Sequence, residues 1–156
     1  MTLSNIDEII IPKDVLNDTF YFLQKYGNLQ LESHALWVGK KTENSFQITN
    51  VWYPQQENIS ISYEVSEEEE FRINLHLSNE NKTVIAQIHT HPGEAFHSCT
   101  DNEGSALSLS GSLSIVIPDF GFIEPNNIDC WKVFRYADER WKSVSDEEVK
   151  KIFKII

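Results

Sequence analysis

Apolar residues recur along this chain in short blocks whose spacing shifts between the period of a strand and that of a helix. Ile9, Ile10 and Ile11 read as a short strand, and Pro12 suits the start of a helix. Leu16, Phe20 and Leu23 then repeat at helical spacing until Gly27, a residue suited to end it. Glu32 to Gly39 is short and largely apolar, as a buried strand would be. Phe46, Ile48 and Trp52 share one face at a period of two, which predicts a strand over 46–53. Phe71, Ile73, Leu75 and Leu77 fit both periods, because Phe71/Leu75 and Ile73/Leu77 are also i,i+4 pairs. The acidic run Glu67, Glu68, Glu69, Glu70 just before them suits a helix N-terminus, so a helix is predicted there.

In the second half, Thr83 to Ile88 predicts a strand, Asp101 to Leu109 a helix, and Leu113 to Ile117 another strand. Trp131 to Tyr136 and Trp141 to Val144 flank Ala137-Asp138-Glu139-Arg140, which reads as a hairpin. Ser145 with Glu148 three residues later is a capping-box pattern for a final helix ending near Ile155. Helices and strands without strict alternation predict an α+β fold, in a single domain over residues 1–156.

Composition narrows the function. With 40% hydrophobic residues, 156 positions suffice for a sizeable core. A net charge of -11 argues against nucleic-acid binding, which needs clustered Lys and Arg. The two cysteines, Cys99 and Cys130, form no disulfide framework. Met1 to Glu8 lacks a basic segment leading into an apolar run, and no stretch approaches the roughly 20 apolar residues of a membrane span. A cytoplasmic protein with no membrane partner is expected.

The chemistry concentrates in His89-Thr90-His91-Pro92-Gly93-Glu94-Ala95-Phe96-His97-Ser98-Cys99-Thr100-Asp101. On an extended backbone, residues two apart point the same way, so His89 and His91 can face one ion with Thr90 turned aside. Pro92 ends the strand, as at a sheet's rim. Asp101, opening the predicted helix, can supply a third ligand while its charge complements the helix N-terminus. Zinc accepts imidazole nitrogen and carboxylate oxygen, and a catalytic site keeps three protein ligands and one water. A purely structural zinc site would favour cysteine and four closed ligands.

This segment resembles the signature of the JAMM metalloproteases (also called JAB or MPN-plus): His-x-His-Pro, then Ser-x-x-Asp, with a Glu far upstream. Glu32 fits the upstream position, since Glu32-Ser33-His34-Ala35-Leu36-Trp37-Val38-Gly39 is similar to the family's Glu-bearing strand that closes in Gly. The likeness runs from the helix before Glu32 to the strand Leu113 to Ile117. Two departures occur. Six residues separate His91 from Ser98, where the commoner spacing has seven, and Ala35 stands where many members have Gly. The short loop resembles that of small bacterial members.

The resemblance implies a JAMM/MPN-like (cytidine-deaminase-like) mixed sheet flanked by helices. It implies a Zn2+ hydrolase with metal ligands His89, His91 and Asp101. Glu32 would be the general base, and Ser98 the hydrogen-bond donor to the tetrahedral oxyanion. The implied reaction is isopeptide or peptide cleavage after the C-terminal glycine of a ubiquitin-like protein. Small bacterial relatives sit beside ubiquitin-transfer-like enzymes, including those of the CBASS anti-phage systems, which makes such enzymes expected associates. Two alternatives share the pattern: a peptidase trimming a sulfur-carrier-like protein, and a non-catalytic MPN-type scaffold, whose members typically lose ligand residues. His97 reads as an exposed or outer-sphere histidine, Cys99 as a bystander, and His34 and His76 as structural. The segments Tyr53 to Ser66 and Asp119 to Cys130 are the candidates for gripping a partner's extended tail as an added strand.

Overall fold

The computed structural model describes residues 2–55, 57–58, 63–64, 66–95 and 109–156. The first element, β1 (Glu8–Ile11), leads through Pro12 into helix α1 (Lys13–Gly27), whose inner face buries Val15, Leu16, Thr19, Phe20 and Leu23. Strands β2 (His34–Thr42) and β3 (Ser45–Trp52) form an antiparallel pair. Two-residue strands β4 (Glu57–Asn58) and β5 (Tyr63–Glu64) pair with each other apart from the main sheet.

Helix α2 (Glu67–Glu80) forms where the two periods competed. Ser66 caps it by accepting the Glu69 N–H, and Ile73 and Leu77 are buried while Phe71 and Leu75 stay exposed. The helical period wins because one i,i+4 pair suffices to seat the helix on the sheet. Then come β6 (Thr83–Thr90), β7 (Leu113–Ile117), β8 (Lys132–Ala137) and β9 (Arg140–Ser143), with short 3-10 turns at Asp119–Gly121 and Ile128–Cys130.

Ser145 caps α3 (Asp146–Ile152) through the Glu148 N–H. This helix is shorter than the sequence pattern predicts. Phe153–Ile155 is instead a strand, β10, running parallel to β1 with Phe153 opposite Ile9. A free sheet edge leaves a row of backbone donors and acceptors, and pairing the last residues there satisfies them while burying Phe153.

Among the described residues the main sheet has eight strands in the order β10-β1-β3-β2-β6-β7-β8-β9. It is mixed: β6 runs antiparallel to β2 and parallel to β7. Neighbouring residues Leu36 and Trp37 on β2 go to opposite sides. Trp37 joins the larger core with Leu16, Phe20, Ile88, Ile115 and Trp131, and its Nε1–H donates to Thr19 Oγ1 on α1 at 2.9 Å. Leu36 joins the smaller core with Val38, Val84, Ile73 and Leu77 beneath α2. The sheet thus carries helices on both faces, and β6 lies in its middle.

Candidate metal centre

The β2–β6 ladder positions the histidines. His34 lies opposite His89, and the pairing continues past the start of β2. The Thr90 N–H donates to Ser33 O at 3.2 Å, and the Ser33 N–H donates to Thr90 Oγ1 at 3.0 Å. One residue beyond Ser33 and Thr90, this register brings Glu32 across from His91. Directly opposed residues of an antiparallel pair share a face. Glu32, His34, His89 and His91 therefore lie on the α2 side of the sheet, in line with Leu36. All four are buried.

The imidazole centroids of His89 and His91 are 5.4 Å apart, with the ring planes inclined by 49°. Two imidazoles sharing one tetrahedral zinc through Zn–N bonds of ~2.0–2.1 Å have centroids about 5 Å apart. The spacing of the two rings matches that of two imidazoles on one such ion. Glu32 Oε1 stands 3.9 Å from His91 Nε2, which places a buried carboxylate beside that ring. At that distance the carboxylate can reach a water next to the pair.

The backbone around His91 is held from the far side of β6. The His91 N–H donates to Ile117 O at 3.0 Å, its carbonyl accepts the Phe120 N–H at 2.8 Å, and Gly93 O accepts the Asp119 N–H at 3.0 Å. Asp119 and Phe120 adopt φ values of +53° and +54°, and Gly121 follows at +86°. Left-handed conformations in non-glycine residues cost on the order of 1 kcal/mol each, and they persist where surrounding structure over-determines them.

The register thus brings Glu32, His89 and His91 to one face of the sheet. Asp101 and Ser98, with His97, Cys99 and the helix predicted over 101–109 (except Leu109 itself), lie outside the described residues. Among the described residues, no three His, Cys, Asp or Glu side chains gather as one metal-holding group. The described part supplies two imidazoles and the carboxylate. His34 is the residue whose proximity sequence reading underrated. The signal was available in its alternation with Glu32, two positions away on a strand whose partner carries the histidines.

Tyr53 and Gln55, at the start of the segment Tyr53 to Ser66, are both held in place. The Tyr53 hydroxyl donates to Asp18 O at 3.0 Å and its ring stacks on Phe22 at 4.2 Å. Burial, with the negative charge of Asp18 nearby, pushes the Tyr53 hydroxyl up to about 12. Glu69 accepts the Gln55 N–H and a 2.5 Å hydrogen bond from Arg72 Nε. That guanidinium holds the Glu69 carboxyl below its usual range.

The mixed sheet carries helices on both faces and holds two histidines and a glutamate at the rim of its central ladder. Residues 23–133 match the family described as prokaryotic homologs of the JAB domain, and the chain belongs to it. It is 34% identical over 122 residues to the probable metalloprotease y4jG of Sinorhizobium fredii, covering 76% of this chain and 75% of that protein. The solution structure of protein DSY2949 from Desulfitobacterium hafniense superposes with a TM-score of 0.66 at 12% identity, covering 95% of this chain and 92% of that one. That likeness shows the fold. No helix among the described residues is long and apolar enough to cross a membrane.

Proposed function

We propose that this chain is a zinc-dependent metallopeptidase of JAMM type. Its reaction is cleavage of an isopeptide or peptide bond after the C-terminal residue of a ubiquitin-like modifier or conjugated bacterial protein. The observation that carries this reading is the placement of the Glu32 carboxylate 3.9 Å from His91, beside two imidazoles spaced to share one ion. The relative named as a probable metalloprotease supports it.

His89 and His91 would hold the zinc, with Asp101 as third ligand. When bound, zinc supplies Lewis acidity, which polarises the scissile carbonyl and makes a water easier to deprotonate. Glu32 takes that water's proton and passes it to the departing amine. Ser98 donates a hydrogen bond to the oxygen that becomes negative in the tetrahedral intermediate. Burial of Glu32, His89 and His91 strengthens their electrostatic interactions relative to water. The substrate is a protein with an extended C-terminal tail, and ubiquitin-transfer-like enzymes are the associates, in an anti-phage setting.

The test has two parts. Purified protein contains about one zinc per chain, and His89→Ala and His91→Ala each lose it. Glu32→Ala retains the metal but no longer cleaves a conjugate supplied with its transfer enzymes. Cleavage by Glu32→Ala at the wild-type rate would remove the base assignment.

A further inference from the structure

We propose that the Asp119–Gly121 turn is a positioning device for His91, and that Gln24 and Gly27 at the end of α1 act on the metal centre through it. This rests on the reading of His91 as a metal ligand. His91 lies just beyond β6, at the point where regular ladder pairing stops. Its carbonyl accepts the Phe120 N–H at 2.8 Å, and two residues on, Gly93 O accepts the Asp119 N–H at 3.0 Å. Both donors come from one turn, so the stretch from His91 to Gly93 is gripped by it.

The turn that presents these two N–H groups is left-handed at Asp119, Phe120 and Gly121, with φ of +53°, +54° and +86°. Something must hold the two non-glycine residues there. The last turns of α1 do so. Gln24 Nε2 donates to Gly121 O at 2.8 Å. Gly27 lies so close that a Cβ added to it would stand 2.6 Å from Phe120 O and 2.8 Å from Phe120 Cβ. A Cβ at Gly121 would likewise meet Leu23 Cβ at 3.1 Å.

The chain of contact therefore runs from α1, through the strained turn, to the backbone that carries an imidazole. Metal ligands tolerate little misplacement, and residues that orient them affect affinity without touching the ion. Gln24 and Gly27 are positioning residues in this sense.

Cobalt(II) substituted for zinc in the chain provides the test, because its visible bands report ligand geometry independently of turnover. Gln24→Met removes the donor to Gly121, and Gly27→Ala pushes on the Phe120 carbonyl. The expected result is shifted bands in both, with affinity weakened by about 3-fold to 10-fold in Gln24→Met and by at least ~10-fold in Gly27→Ala. Ser145→Ala, which loosens the cap of α3 elsewhere, serves as a destabilised control and keeps the wild-type bands. Wild-type bands and affinity in folded Gln24→Met and Gly27→Ala overturn the proposal; if Gly27→Ala does not fold, Gln24→Met decides alone. Wild-type protein that takes up neither cobalt nor zinc overturns the metal reading itself, and this inference with it.

Discussion

His34 and His89 stand directly opposite each other on the central ladder, each two residues from a second buried group, Glu32 and His91 respectively. Opposed side chains in an antiparallel pair have Cβ atoms roughly 4.5–5.5 Å apart. The His34 ring therefore borders the ring of a proposed metal ligand. His34→Phe fills similar space without nitrogen. It is expected to leave the circular dichroism unchanged and to weaken zinc binding about tenfold, measured by chelator competition. Unaltered zinc affinity would make His34 a packing residue.

Gly39 sits where the β2–β3 register slips, and a Cβ there would lie 1.9 Å from Gln47 O. The obstacle is backbone of the adjacent strand, which cannot step aside cheaply. Gly39→Ala should lower unfolding stability by roughly 2–4 kcal/mol, read from urea denaturation. A loss within experimental error would show that the bulge can absorb a methyl group.

Acid sensitivity should be traceable to Glu69. Its carboxyl is held low by Arg72, so the folded state binds its proton less readily than the unfolded chain does. The resulting stability is present above the unfolded carboxyl value, about 4.5, and is lost as pH falls through the folded one. Arg72→Met should therefore lower the melting temperature at pH 7, with the gap to wild type closing as the pH drops below about 4. A gap of equal size at both pH values would exclude this linkage.

The Tyr53 hydroxyl behaves oppositely. With its value raised to about 12, it favours folding while protonated, and that contribution falls away as pH rises from about 10 through 12. Ultraviolet titration of tyrosinate should show a late phase that Tyr53→Phe removes. Its persistence in the variant would assign it to another tyrosine.

The hairpin joining β8 and β9 turns at Asp138 and Glu139, whose φ values are +53° and +62°. A two-residue turn of this kind prefers glycine second. Glu139→Gly should stabilise the chain by about 1 kcal/mol, seen as a raised urea midpoint. A lowered midpoint would mean that Glu139 contributes more than its backbone strain costs.

Much of the architecture is legible in the sequence. The i,i+4 and i,i+3 spacings of Leu16, Phe20 and Leu23 marked α1, and the period of two from Phe46 marked β3. Alternation made His89 and His91 face the same way. The final strand was less legible. The capping pattern at Ser145 announces where α3 begins, but nothing local says that Phe153 will pair with β1, because strand pairing depends on an edge more than 140 residues away.

By itself the sequence singled out the residues proposed to carry the chemistry, a Glu, two His, a Ser and an Asp in a family-like pattern, together with the periodicities of the elements bearing them. Only the tertiary structure decided that Glu32 comes within 3.9 Å of His91, that His34 joins them, and that the end of α1 braces the turn behind His91. The reason is physical. Local spacing sets which face a side chain takes, whereas distances between groups dozens of residues apart are set by strand register and packing, which no single segment encodes.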